Sequence, residues 1–262
     1  MSSIVVVKLG GTTVAGQEGV LAELAALARH TPLVVVHGGG LRVTDWLARL
    51  GVPTRFEDGL RVTDEAALEV AAAVLRGAVN VELVAALRRL GADAVGLSGV
   101  DGGLLVAERL PDKGLVATVV DVRRALLDAL IVDGRVPVVA PLALDETGVV
   151  CNVNADDVAA GIAAGIGARQ LVLMTDVDGV RDASGAKLDS LTAQEAEALI
   201  DGGVIVGGMV PKVRAALGAL TWEGTEAIIA DGSAERALER ALGDPTFGTR
   251  LTATRSARVG AA

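Results

Sequence analysis

The chain has 262 residues and a formal net charge of −9, which argues against broad electrostatic attraction to nucleic acid or to an anionic membrane. Hydrophobic residues make up 51% and mean hydropathy is +0.50, enough for a substantial core in one large α/β domain or two smaller ones. The one cysteine, Cys151, excludes an internal disulfide framework and any multi-cysteine metal site. Apolar runs such as 158–168 are glycine-broken and short of the ~20 residues a membrane helix needs. The N-terminus, MSSIVVVKLGG, has no basic region ahead of a cleavable apolar stretch, so a cytoplasmic protein is the expectation.

In chain order, residues 4–9 read as a buried strand that delivers Lys8 near its carboxyl end, followed by Gly10-Gly11-Thr12-Thr13 and a helix over 19–29. Open α/β sheets bind ligands outside the carboxyl ends of their strands, and glycine backbone N–H groups approach anionic oxygens closely. Lysine occurs only at 8, 113, 187 and 212, so two of the few sit beside glycine clusters. A strand at 33–36, the run His37-Gly38-Gly39-Gly40 and a helix at 41–50 repeat the arrangement. Three consecutive glycines cost backbone entropy, which implies a need for their conformational freedom. For His37, an ordinary core-edge histidine is the simpler reading than a base or metal ligand.

Gly59-Leu60-Arg61-Val62-Thr63-Asp64 precedes a helix at 65–75, where Thr63 or Asp64 can cap and Arg61 suits bidentate grip of a carboxylate. Further helices are expected at 80–90, 120–131, 155–166, 193–200, 211–220 and 234–242, and strands at 94–97, 136–141, 170–175 and 227–230. Segments 104–108 and 115–119 read as a hairpin appended to this core, and 145–150 as a second, shorter one. In Asn152-Val153-Asn154-Ala155-Asp156-Asp157, alternate residues share one face if extended, and capping accounts for one of them. Thr175-Asp176-Val177-Asp178-Gly179-Val180 follows a strand, a position suited to a nucleotide. Gly207-Gly208-Met209-Val210-Pro211-Lys212 places Pro211 at N1 and Lys212 in a first turn, where a cation is disfavoured unless an anion is present.

Continuously apolar strands alternating with helices predict a three-layer α/β sandwich around a central, mostly parallel sheet, with a division near residue 165. No GxxxxGK[ST], no dinucleotide GxGxxG and no protein-kinase HRD or DFG set occurs. The ordered series Lys8-Leu-Gly-Gly, His37-Gly-Gly-Gly, Gly59-Leu-Arg-Val-Thr, Gly96-Leu-Ser-Gly, Asn152-Val-Asn-Ala-Asp, Thr175-Asp-Val-Asp-Gly-Val and Gly208-Met-Val-Pro-Lys resembles the amino acid kinase family, from about residue 4 to Arg250. The Gly59 and Asn152 elements point to its branch acting on N-acetyl-L-glutamate. The chain departs from the pattern at Val81 and Val100, where lysine is common, and at Cys151, where another apolar residue is frequent.

The resemblance implies an N-terminal lobe, 1–165, for the amino-acid substrate and dimerisation, and a C-terminal lobe, 166–262, for ATP. Lys8 and Lys212 match lysines that stabilise the transferring phosphoryl group, Asp156 the aspartate that organises them, and Gly11 a backbone donor. Gly39, Gly40, Arg61, Asn152 and Asn154 match the substrate side. Gly10, Thr175, Asp176, Val177, Asp178, Gly179, Val180, Val204, Ile205, Val206, Gly208 and Met209 match the nucleotide side. ATP carries Mg²⁺ on its phosphates, with no separate protein metal site. Because the chain begins almost at its first strand, a homodimer without arginine feedback is expected. Two alternatives stay open: a sister kinase acting on carrier-protein-linked aminoadipate or glutamate, and a non-catalytic ligand-binding protein on the same fold.

Overall fold

The structure, a computed structural model, describes residues 4–10 and 18–253. An eight-stranded sheet runs in the order Ser190–Thr192, Thr249–Thr252, Glu226–Asp231, Gln170–Thr175, Val5–Leu9, Leu33–His37, Val136–Ala140 and Ala94–Ser98. Strands from Glu226–Asp231 onward pair in parallel. Thr249–Thr252 pairs antiparallel to Glu226–Asp231 and turns that edge around. Val5–Leu9, Leu33–His37 and Val136–Ala140 are buried at every position, as strands covered on both faces must be.

Strand alternation divides the core by face. Val5, Val7 and Leu9 pack with Val35, Leu21, Leu24, Leu47, Leu75 and Leu83 on one side. Val6 packs with Val34, Val36, Leu127, Ile162, Ile166 and Val213 on the other. Each face draws on both halves of the chain, and one sheet runs through both.

The expected helices form at Glu18–Leu27, Gly40–Leu50, Ala155–Ile166, Ala193–Asp201, Met209–Gly218 and Ala237–Gly243. The expected helix at 120–131 starts late: residues up to Val122 belong to strand Val116–Val122, and the helix is Ala125–Val132. The apolar run Val119-Val120 suits either state, and pairing with Leu105–Arg109 decides for the strand. The two expected hairpins do not stand apart. Leu105–Arg109, Val116–Val122, Leu142–Asp145 and Val150–Val153 close into one four-stranded barrel. Arg55–Glu57 and Leu60–Val62 add a small antiparallel hairpin that the sequence reading lacked.

The expected helices at 65–75 and 80–90 are one 25-residue helix, Glu65–Arg89, joined by a π-helical stretch, Ala73–Val79. By length and apolarity this helix could cross a membrane, unlike the shorter runs considered from sequence. Its apolar face is already committed: Val70, Val74, Leu75, Val79, Leu83 and Leu87 are buried in the core.

Ile162 is fully buried between helix Ala155–Ile166 and the sheet. Ile162→Ala is expected to lower unfolding free energy by about 2–5 kcal/mol, read from urea denaturation.

Candidate active site

Side chains alternate along a strand, so Lys8 projects from Val5–Leu9 to the same face as Val6, the face covered by helix Ala155–Ile166. That helix begins with Asn154 as N-cap, whose Oδ1 accepts from the Asp156 N–H at 2.8 Å. A carboxylate in the first turn is favoured by the helix dipole. Asp156 is 4% exposed and meets two cations. Lys8 Nζ lies 2.8 Å from Oδ1, and Lys212 Nζ lies 3.1 Å from Oδ2 and donates to it. The Lys8 contact is an ion pair set off the line of a good hydrogen bond, and Oδ1 accepts no such bond among the described residues.

Two ammonium groups on one buried carboxylate leave an excess of one positive charge. Burial pushes the Lys8 ammonium below its ordinary value; Asp156 opposes this and Lys212 adds to it. Burial alone would raise the Asp156 carboxyl, but Lys8 and Lys212 outweigh it and hold the group below the ordinary value. Lys212 sits on helix Met209–Gly218, which starts two residues before the expected Pro211. Pro211 is therefore the third helical residue, where its missing N–H is still harmless, and Lys212 the fourth.

The glycine loops meet beside this triad. Gly10 N–H donates to the Met174 carbonyl at 2.9 Å, and a Cβ on Gly10 would collide with that same oxygen. Gly38 N–H donates to the Leu9 carbonyl at 3.1 Å, which joins the first loop to the second. Gly39 has φ +153°, and a Cβ there would lie 2.8 Å from Leu75 Cδ2, so only glycine fits. Gly11 lies outside the described residues.

A cavity of about 190 Å³ opens next to these loops, walled by Gly38, Gly39, Gly40, Val43, Phe56, Arg61, Leu75, Asn152 and Asn154. Arg61 is 8% exposed. Its Nη2 donates to the Gly40 carbonyl at 3.0 Å and to Thr44 Oγ1 at 2.7 Å, and its guanidinium lies over the Phe56 ring. It pairs with no carboxylate among the described residues, which leaves its charge to a ligand. Asn152 Nδ2 donates to Thr63 Oγ1 at 3.3 Å. The strand stops at Val153, so the shared face read for Asn152, Asn154 and Asp156 ends there: Asn154 caps the helix while still lining the cavity. A larger cavity, about 1130 Å³, lies at the opposite, amino-terminal ends of Gln170–Thr175 and Glu226–Asp231. It is lined by neither Lys8 nor Lys212.

On the other side of Lys8, Thr175 ends strand Gln170–Thr175, and its hydroxyl donates to Asp176 Oδ1 at 3.0 Å. That bond is the main cause holding the Asp176 carboxyl below its usual value, with Lys212 and Lys8 contributing. Asp178 pairs with Arg181, and Gly179 turns with φ +143°. Val180 and Ile205 are buried core residues, so of these apolar side chains Val177 and Val206, both exposed, and the half-buried Val204 remain available to a ligand. Gly208 is the N-cap residue and Met209 the first residue of the helix bearing Lys212.

The sequence reading missed Asn80, fully buried and bonded to His37 Nε2 at 3.0 Å. Its signal was an asparagine in step with Leu83 and Leu87 on an apolar helix face. His37 is itself buried, and that burial lowers its pKa to about 4, so the ring is neutral near pH 7.

A half-covered cavity, paired glycine loops and two convergent lysines at the carboxyl edge of a parallel sheet form a site suited to an anionic group. The model of the amino acid kinase family matches residues 3–231, and the chain belongs to that family. It is 47% identical to an acetylglutamate kinase from Rubrobacter xylanophilus, over 94% of this chain and 95% of the relative. It is 44% identical to one from Solibacter usitatus, over 94% and 97%. A solved structure from Streptococcus mutans superposes with a TM-score of 0.83 at 28% identity, covering 97% of this chain and all of that one.

A lysine whose pKa is lowered loses its proton at lower pH, so the alkaline limb of activity is expected below the ordinary lysine value of 10.5. Asp156→Asn removes the anion that raises Lys8 and should move that limb further down. A pH–rate profile reads both, with NMR of the Lys8 ammonium where turnover is too slow.

Proposed function

We propose that this protein transfers the γ-phosphoryl group of ATP to the side-chain carboxylate of N-acetyl-L-glutamate, giving N-acetylglutamyl 5-phosphate for arginine biosynthesis. The observation that carries the reading is the Lys8–Asp156–Lys212 triad, two cations on one buried carboxylate, set between a small cavity lined by Arg61, which has no carboxylate partner among the described residues, and the end of strand Gln170–Thr175. The names of the relatives supply the substrate.

The acceptor lies in the cavity, its α-carboxylate on Arg61 and its remaining polar groups toward Gly39, Gly40 and Asn152. A carboxylate oxygen of its side chain attacks the γ-phosphorus. An O–P bond forms as the bond to the ADP oxygen breaks, and no proton moves, so no general base is required. Catalysis then rests on in-line positioning and on charge stabilisation. Lys8 and Lys212 neutralise the transferring oxygens from two sides, and Asp156 holds both ammonium groups charged and aimed. The triad's single net positive charge falls short of the charge on a triphosphate. That fits Mg²⁺ arriving on the nucleotide phosphates, where it supplies the remaining neutralisation. Thr175–Val180 and Val204–Met209 take the nucleotide, with Val177 and Val206 as apolar surfaces for the base.

Within the same proposal, residues 1–165 hold the acceptor, 166–262 hold ATP, and the enzyme is a cytoplasmic homodimer. Sedimentation equilibrium tests the dimer, which a monomer at micromolar concentration would contradict.

Lys8→Ala and Lys212→Ala are each expected to lower kcat at least ~10²-fold, the cost of losing one preorganised donor. ADP release should be supported by N-acetylglutamate and not by N-acetylaspartate, glutamate or aminoadipate, with the acyl phosphate trapped by hydroxylamine. Near-normal turnover in either lysine variant sinks the roles assigned. Absence of acyl phosphate from free N-acetylglutamate favours a carrier-linked acceptor, and nucleotide binding without any turnover favours a non-catalytic protein.

A further inference from the structure

His37 and Asn80, both buried, and the half-exposed Arg76 and Gly96 form a relay behind the acceptor cavity that the transfer chemistry does not use. Each hydrogen bond in it dictates the next. Arg76 can only donate, and its Nη1 lies 3.1 Å from Asn80 Oδ1, which fixes the amide so that Nδ2 points the other way. Asn80 Nδ2 donates to the Val138 carbonyl at 2.8 Å and meets His37 Nε2 at 3.0 Å. The Leu97 carbonyl, at 3.4 Å, is a third and longer contact for the two Nδ2 hydrogens, so the shorter contact to Nε2 favours a neutral His37 with Nε2 unprotonated and the proton on Nδ1. Nδ1 lies 2.8 Å from the Gly38 carbonyl, which can only accept. The assignments close without conflict.

The last bond reaches the cavity. The Gly38–Gly39 peptide is trans, so its N–H points opposite to its C=O. With the Gly38 carbonyl held by His37, the Gly39 N–H is turned to the side away from the histidine. His37 does not line the cavity, whereas Gly38, Gly39 and Gly40 do. The next peptide is fixed separately, because the Gly39 carbonyl accepts from Val43 N–H at 3.0 Å and sends the Gly40 N–H off the start of helix Gly40–Leu50.

We propose that Asn80 is a positioning residue: by selecting the Nδ1-protonated tautomer of His37 it aims the Gly39 N–H at the oxygens of the bound acceptor. The π-helical stretch Ala73–Val79 serves the same end, since it sets Leu75 and Val79 against Gly39 and Asn80 against His37 within one helix. Gly96 is the remaining part. A Cβ at Gly96 would collide with Asn80 Oδ1 and press on Val84, so the glycine leaves room for the amide.

The proposal rests on the acceptor reading above for its substrate but not for its tautomer. Long-range ¹⁵N–¹H correlation of the histidine rings, with His30 as the other histidine, should show His37 protonated at Nδ1 and bare at Nε2 near neutral pH. Asn80→Ala removes one of the two bonds that select the tautomer and should weaken that preference and raise the KM for N-acetylglutamate about tenfold, the worth of one hydrogen bond, while the KM for ATP stays within about twofold. Gly96→Ala, which displaces the amide without deleting it, should act in the same direction. His37→Asn, which keeps a donor near the Nδ1 position, should recover most of the KM lost in His37→Leu. An Nε2-protonated His37 in the unaltered protein overturns the proposal, as does a parallel rise of both KM values in Asn80→Ala. The spectrum requires neither substrate nor variant, so failure of the substrate assignment and failure of the relay are read separately.

Discussion

One carboxylate shared by two buried ammonium groups is the constraint on which the site depends. Removing Lys8 from water is costly, and half of an ion pair does not repay that cost. Asp156 is pulled by both lysines, so neither is fully neutralised, and its Oδ1 lacks a well-directed donor among the described residues. Two ammonium groups converging on one carboxylate make this corner of the site favourable to an anion, even with the Asp176 carboxylate acting on both. The fold supplies the geometry by convergence. The central strand Val5–Leu9 provides one cation, the start of helix Ala155–Ile166 the anion, and the start of Met209–Gly218 the second cation.

The same turn of chain connects this charge cluster to the acceptor cavity. Asn152 is the last residue but one of a barrel strand and lines the cavity, Asn154 caps the helix, and Asp156 is its second residue. A shift of the barrel strand, which ends at Val153, is thereby transmitted through about three peptide units to the carboxylate. The barrel's closure limits such shifts, since Val150–Val153 is held by Val116–Val122 on one side and Leu142–Asp145 on the other.

Much of this was legible from sequence where one physical signal dominated. Val5–Leu9, Leu33–His37 and Gln170–Thr175 are buried on both faces and therefore read as unbroken apolar runs. Lys8 and Lys212 showed themselves through scarcity and adjacent glycines, and Asp156 through an excess of polar side chains that one cap could not explain. Other features left no such trace. Ser190–Thr192 and Thr249–Thr252 are too short for a period, and Arg55–Glu57 with Leu60–Val62 is mostly polar or exposed. Val120–Val122 fits helix and strand equally until a partner strand is known. The helix Glu65–Arg89 was split in two because a π-helical stretch shifts the apolar stripe midway. The relay depends on the pairings of Asn80 with His37 and of Arg76 with Gly96, 43 and 20 positions apart, which local pattern does not encode.

Leu33–His37, Val5–Leu9 and Gln170–Thr175 are consecutive in the sheet. Adjacent strands stand about 4.8 Å apart, so the loops leaving the two outer ones are about 10 Å apart, with Lys8 on the strand between. In the proposed reaction the hydrogen-bond pitch of the backbone would thus work as a ruler between donor and acceptor. Side-chain substitution can reshape either berth, but the gap a phosphoryl group must cross is written in peptide spacing and is nearly immune to it.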